Sequence, residues 1–133
     1  MTASITGLYA GLSGALLVAL AFAVSMQRMR HQVPIGDGGV PAVERAVRVH
    51  GNAVEHVPMA MLLLFLVEVN GAPGAVVHGA GAAFVLARLA HATGLASSGG
   101  RTPGRFYGTL VSWLVMIGLA LGLVVQYLAT LLA

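Results

Sequence analysis

The chain has 133 residues, of which 58% are hydrophobic and only 8% charged. Soluble domains carry about 25% charged residues, so this composition excludes a water-soluble globular protein. All seven basic side chains are arginine and cysteine is absent: no disulfide, thiolate metal site or cysteine nucleophile is available, and the net charge of +3 is scattered between apolar segments rather than gathered on a nucleic-acid-binding face.

The first element is ITGLYAGLSGALLVALAFAVSM. A bilayer crossing needs about 20 apolar residues, and no formal charge stands between Thr2 and Gln27. No basic residue precedes the run and it is too long for the apolar part of a cleaved signal peptide, so it is expected to stay as a spanning helix over roughly 3–28. The longest connection follows at about 31–42, with Pro34, Gly36, Asp37, Gly38, Gly39 and Pro41. A second helix is expected over roughly 42–69, its polar residues crowded at the N-terminal end. Asn70-Gly71-Ala72-Pro73 is a short turn, a third helix occupies roughly 73–96, Ser97-Ser98-Gly99-Gly100 marks the next loop, and a fourth helix runs over roughly 105–131. The whole is one all-α domain, an integral membrane four-helix bundle, with no fixed-period repeat.

The arginines orient it. Arg28, Arg30, Arg45 and Arg48 flank the first connection and Arg101 and Arg105 the third, while the 70–74 turn has no basic residue. The positive-inside rule puts the 28–42 and 97–105 connections in the cytoplasm, with both termini and the 70–74 turn opposite. Abundant Ala, Gly and Arg without Lys suggests a GC-rich bacterial genome, and hence a bacterial inner membrane.

The second helix opens with RAVRVHGNAVEHVP. At 100° per residue, Arg45, Arg48, Asn52, Glu55 and His56 fall within about 100° of one another, and His50 points elsewhere. Exposing such a stripe to lipid costs roughly 3 kcal/mol for each Arg, so it is expected to face other helices or a wet cavity. Arg88 and His91 are three apart and share a face of the third helix. Arg105 heads the fourth, with Thr109, Ser112 and Met116 below it at helical spacing. All of these lie toward one end of their helices. The simplest object they form is an arginine-rich, partly desolvated pocket for an anionic ligand bearing carboxylates. The competing structural readings are an ion-pair network of Arg45, Arg48 and Glu55, a purely interhelical hydrogen bond from Asn52, and headgroup anchors in Arg28 and Arg30. Glu68 is expected to be solvated at the end of the second helix. Gly7, Gly11, Gly14, Gly118 and Gly122 suit close helix packing. No metal site is assigned to the five histidines.

The run Glu44-Arg45-Ala46-x-Arg48-x-His50-x-Asn52-x-x-Glu55-x-x-Pro58, with Arg88-x-x-His91 and Arg101-x-Pro103-x-Arg105, resembles the membrane-associated proteins in eicosanoid and glutathione metabolism, the MAPEG family. The similarity covers nearly the entire chain. It implies a homotrimer of four-helix protomers that binds glutathione, as co-substrate, between neighbours. Arg28, Arg48, Asn52, Glu55 and His91 match glutathione-binding positions, and Arg105 matches the arginine that activates the thiol. A thiol with a pKa near about 8.5 becomes a better nucleophile when a cation stabilises its thiolate, and a guanidinium, always protonated, stabilises the anion without acting as base. The thiolate would attack a small lipophilic electrophile arriving from the bilayer. Four positions depart from the prostaglandin-synthesising members: Gly51 stands for an arginine, Leu95 for a tyrosine, Phe106 for a serine and Thr109 for a tyrosine. The resemblance thus implies a membrane-bound glutathione-dependent transferase or peroxidase. A non-enzymatic binding or scaffold protein of the same fold is the alternative. A small transporter is disfavoured, because no inverted repeat is visible.

Overall fold

A computed structural model describes residues 3–98 and 100–132; Gly99, part of the expected third loop, lies outside the described residues. Four helices follow in chain order: α1 (Ser4–His31), α2 (Pro41–Val69), α3 (Gly74–Ser97) and α4 (Pro103–Leu131). Each is long and apolar enough to cross a membrane. At 1.5 Å per residue they measure about 36–43 Å, against about 30 Å of hydrocarbon. The excess lets the first two turns of α2, with Glu44, Arg45 and Arg48, stand at headgroup depth rather than in oil.

The helix ends have local causes. α1 runs three residues past the expected end because Arg28, Arg30 and His31 sit in its last turn, where cations favour the negative end of the helix dipole. It stops at Gln32, which is left-handed at φ 54°, and the Val33 amide turns back to the Arg28 carbonyl at 3.0 Å as buried Val33 closes the turn. α2 and α4 both begin on proline, the residue with no N–H to leave unpaired in a first turn. Pro58 lies inside α2, which continues through it as helix.

α1 packs on α2 and α3, and α4 packs on α3 and α2; among the described residues α1 and α4 do not meet. α3 is accordingly the most buried span. Its seam with α4 is made of glycine. A Cβ on Gly108 would stand 2.5 Å from the Ala87 carbonyl oxygen and 2.7 Å from the His91 amide, and one on Gly94 would stand 2.5 Å from the Arg105 amide. The two backbones therefore touch, and Thr102 stitches them at the top, accepting from the Arg105 amide at 3.3 Å and donating to the Gly94 carbonyl at 2.9 Å. Gly7, Gly11, Gly14, Gly118 and Gly122, expected from the sequence to pack closely, have open space around them within the protomer.

The end of the bundle opposite the arginines is closed by polar contacts. α1 has no side-chain cap of its own at Ala3. The Glu68 carboxylate, from the last turn of α2, accepts from the Ile5 amide at 3.0 Å and the Thr6 amide at 2.7 Å. A carboxylate on first-turn amides satisfies orphan donors and meets the positive end of the dipole, so Glu68 is a cap rather than the solvated charge expected from the sequence. Asn70 and Gln126 exchange two hydrogen bonds of 3.1 Å, tying the end of α2 to α4.

Two outcomes follow from these contacts. Gly108→Ala should destabilise the bundle by about 1–3 kcal/mol in reversible unfolding from mixed micelles, while Gly118→Ala should be near neutral. Glu68→Ala should speed hydrogen exchange at the Ile5 and Thr6 amides and leave the middle of α1 protected.

Candidate functional site

At the arginine-bearing end a cavity of about 440 Å³ opens between α2, α3 and α4. The α2 stripe supplies Glu44, Arg45, Arg48, Asn52 and Glu55, α3 supplies His91, and α4 supplies Arg105. One stripe makes a wall because residues three and four apart share a helix face. Arg105 reaches it because Gly104 and Gly108 let α4 lie directly on α3. Its guanidinium also donates to the Gly100 carbonyl at 3.5 Å.

Of the expected site residues, Arg48, Asn52, Glu55, His91 and Arg105 thus line one cavity. Arg28 does not. It ends α1 half-buried, its Nε without a hydrogen-bond partner, and α1 contributes nothing to the lining. Arg45, on the stripe but not matched to a glutathione position, also lines it, and so does Glu44, which the sequence reading did not place there. Glu44 lies on the same face as Arg48, so the helical angle alone would have found it.

Behind the wall stands Arg88, the largest fully buried side chain, 1% exposed. Its Nη2 donates to Asn52 Oδ1 at 2.5 Å and to His91 Nδ1 at 3.3 Å, joining the α2 wall to the α3 wall. A guanidinium only donates, so His91 Nδ1 is the acceptor and its hydrogen sits on Nε2. Nε and Nη1 of Arg88 are buried without partners. The sequence pairs Arg88 with His91 on one face, but it does not show that Arg88 turns to Asn52 and acts as a fixed support rather than a lining residue. Glu55, on the wall, supplies an opposing charge within range of it.

The electrostatics are mixed in sign. The lining carries three guanidiniums, Arg45, Arg48 and Arg105, against two carboxylates, Glu44 and Glu55, an excess of one positive charge. Gly51 and Leu95 also line it and offer no side-chain polar group. Arg105 borders a second, more apolar cavity of about 870 Å³, whose wall includes Arg101, Phe106, Tyr107, Leu110 and Trp113. One guanidinium thus stands between a polar, charge-lined space and an aromatic one.

The MAPEG family profile matches residues 6–125 of the chain. The chain belongs to the MAPEG family. It is 42% identical over 87 residues to inner membrane protein YecN of Escherichia coli K12, a match covering 65% of this chain and 66% of that protein, just under two thirds of its length. The YecN of a second Escherichia coli strain, O6:H1, matches equally.

The Arg88–Asn52 bond is open to a direct test. Asn52→Ala should cost about 1.5–3 kcal/mol of stability, the range for a hydrogen bond to a charged group. The double variant Asn52→Leu/Arg88→Met should recover much of the loss, because it removes the buried cation together with its acceptor. A thermodynamic cycle in micelles measures both.

Proposed function

We propose that the protein is a glutathione-dependent transferase or peroxidase that joins or reduces lipophilic electrophiles, working as a multi-pass protein of a bacterial inner membrane, the location stated in the name of its Escherichia coli relative. The observation that carries this reading is the position of Arg105 on the border of both cavities. Glutathione brings two carboxylates, one ammonium and a thiol. The polar cavity answers with an excess of guanidiniums and two carboxylates, and its volume falls within the usual range for small-ligand sites, about 300–1,000 Å³. Arg45 and Arg48 suit the carboxylates, and Glu44 or Glu55 the ammonium. Asn52, held by Arg88, and His91, with its hydrogen on Nε2, add oriented polar groups.

Arg105 would hold the thiol as thiolate by charge, since a guanidinium has no proton to lose at neutral pH. The thiolate sulfur then forms its bond to the electrophilic carbon of a lipophile in the aromatic cavity, and the leaving group departs with the bonding pair. The thiol proton passes to solvent. In the peroxidase variant, the thiolate sulfur takes the terminal oxygen of a hydroperoxide, the O–O bond breaks and the alkoxide leaves as the alcohol after taking a proton from solvent; a second glutathione then attacks the sulfenic sulfur, forming the disulfide and releasing water.

The homotrimer implied by the family resemblance belongs to this reading. Gly7, Gly11 and Gly14 on α1 and Gly118 and Gly122 on α4 have open space in the protomer, which suits close approach of neighbouring helices. Arg28, outside the cavity of its own protomer, would then reach a ligand only across such a contact. A second reading, a binding or scaffold protein without turnover, is favoured by Gly51 and Leu95, which leave part of the lining without hydrogen-bonding side chains.

Calorimetry with reduced glutathione in micelles should show binding, and an aryl halide should be conjugated. Arg105→Ala should lower conjugation by about a hundredfold or more, as for loss of a group that stabilises a developing anion. Binding without conjugation by the wild type would sink the enzyme reading and leave a binding protein, and neither binding nor conjugation would favour the scaffold reading.

A further inference from the structure

Trp113 is the only tryptophan in the chain, and its depth sets it apart. It stands ten residues into α4 from Pro103, about 15 Å along the axis, whereas membrane tryptophans gather at headgroup level. Hydrocarbon offers no acceptor to an indole N–H, so a tryptophan there needs a partner from the protein. The partner is His56 on α2: Trp113 Nε1 donates to His56 Nε2 at 3.1 Å. A neutral imidazole accepts at one nitrogen only if its hydrogen is on the other. His56 Nδ1 donates it to the Asn52 backbone carbonyl at 2.8 Å. The α2 backbone therefore selects the tautomer, and the tautomer makes the acceptor that fixes the indole.

This chain of contacts ends on the aromatic cavity. Trp113 forms part of its wall and is 53% exposed. An indole that open, packed on one side only, would otherwise change rotamer freely. The other aromatic residues of that wall, Phe106 and Tyr107, brace each other edge to face with ring centroids 5.2 Å apart. Asn52 meanwhile accepts from Arg88 on its side chain, so the wall of the aromatic cavity and the wall of the charged cavity hang from one α2 residue.

We propose that His56 is a positioning residue: it holds the Trp113 indole as the wall against which a flat, electron-poor lipophile lies beside Arg105. The inference rests on the reading of the aromatic cavity as the lipophile site. A flat electron-poor ring is the shape and charge distribution that stacks best on an electron-rich indole face.

The lone tryptophan makes the test direct. A dinitrophenyl halide quenches tryptophan fluorescence on contact, so titrating it into the micelle-embedded protein without glutathione reads its binding at Trp113. His56→Leu should weaken that binding about tenfold, the upper end of what one neutral hydrogen bond supplies, and should lose the tryptophan band in near-ultraviolet circular dichroism. His56→Gln, whose amide oxygen can accept the indole N–H, should restore both. Glutathione affinity should stay within about twofold of wild type in both variants, an interval well under one hydrogen bond. Equal quenching affinity in wild type and His56→Leu overturns the inference, as does an unchanged tryptophan band. So does a parallel loss of glutathione affinity, which would mark His56 as a general support. Quenching needs no turnover: His56-dependent halide binding without conjugate formation would sink the proposed enzyme activity and leave this inference standing.

Discussion

A guanidinium buried among apolar helices must find acceptors inside the protein, and Arg88 finds them in Asn52 and His91. Much of the arrangement around the charged cavity depends on that pair of bonds. They hold α2 and α3 at a fixed register, turn the Asn52 side chain inward, choose the tautomer of His91, and keep a positive charge behind the wall. Removing the charge with its acceptor is tolerable in principle. Removing the acceptor alone strands a cation in a medium that cannot solvate it. The site is thus built on a support that is itself costly to disturb.

The α3–α4 seam performs a different task. By dispensing with side chains at Gly94, Gly104 and Gly108, it brings the two backbones into contact and delivers Arg105 to the edge of the cavity. Without a hydrophobic effect between helices in lipid, dispersion and close fit carry association, and the glycines supply both. Residues on α4 below that seam, from Leu114 onward, are free of the site and mostly face outward.

Much of this was legible in the sequence. Four long apolar runs separated by Pro and Gly specify the spans, the second carrying its charges mostly at one end, because hydrocarbon penalises anything else. The angular clustering of Arg45, Arg48, Asn52 and Glu55 specifies one wall, because helical geometry is rigid over three turns. The remainder depends on contacts between segments far apart in sequence. Nothing local tells Gly104 and Gly108 from Gly118 and Gly122, since both pairs have the same spacing, and only the depth of the neighbouring backbone separates them. Arg28 looks equivalent to the other arginines until α1 is seen to pack away from the cavity. Glu68 reads as a solvated helix end because its partners are amides near the start of α1. Arg88 was recognisable as a polar residue at membrane depth, but its turn toward Asn52 was not.

Glu68 has a consequence for how the chain is made. The amides it closes lie 63 and 62 residues earlier in the sequence. While the protein is being synthesised, α1 enters the bilayer with its first turn open to water and remains so until the end of α2 has crossed to the same side. Insertion of the second span therefore completes the first. The cap exists only once both spans are in place, so it ties the start of the first span to the end of the second.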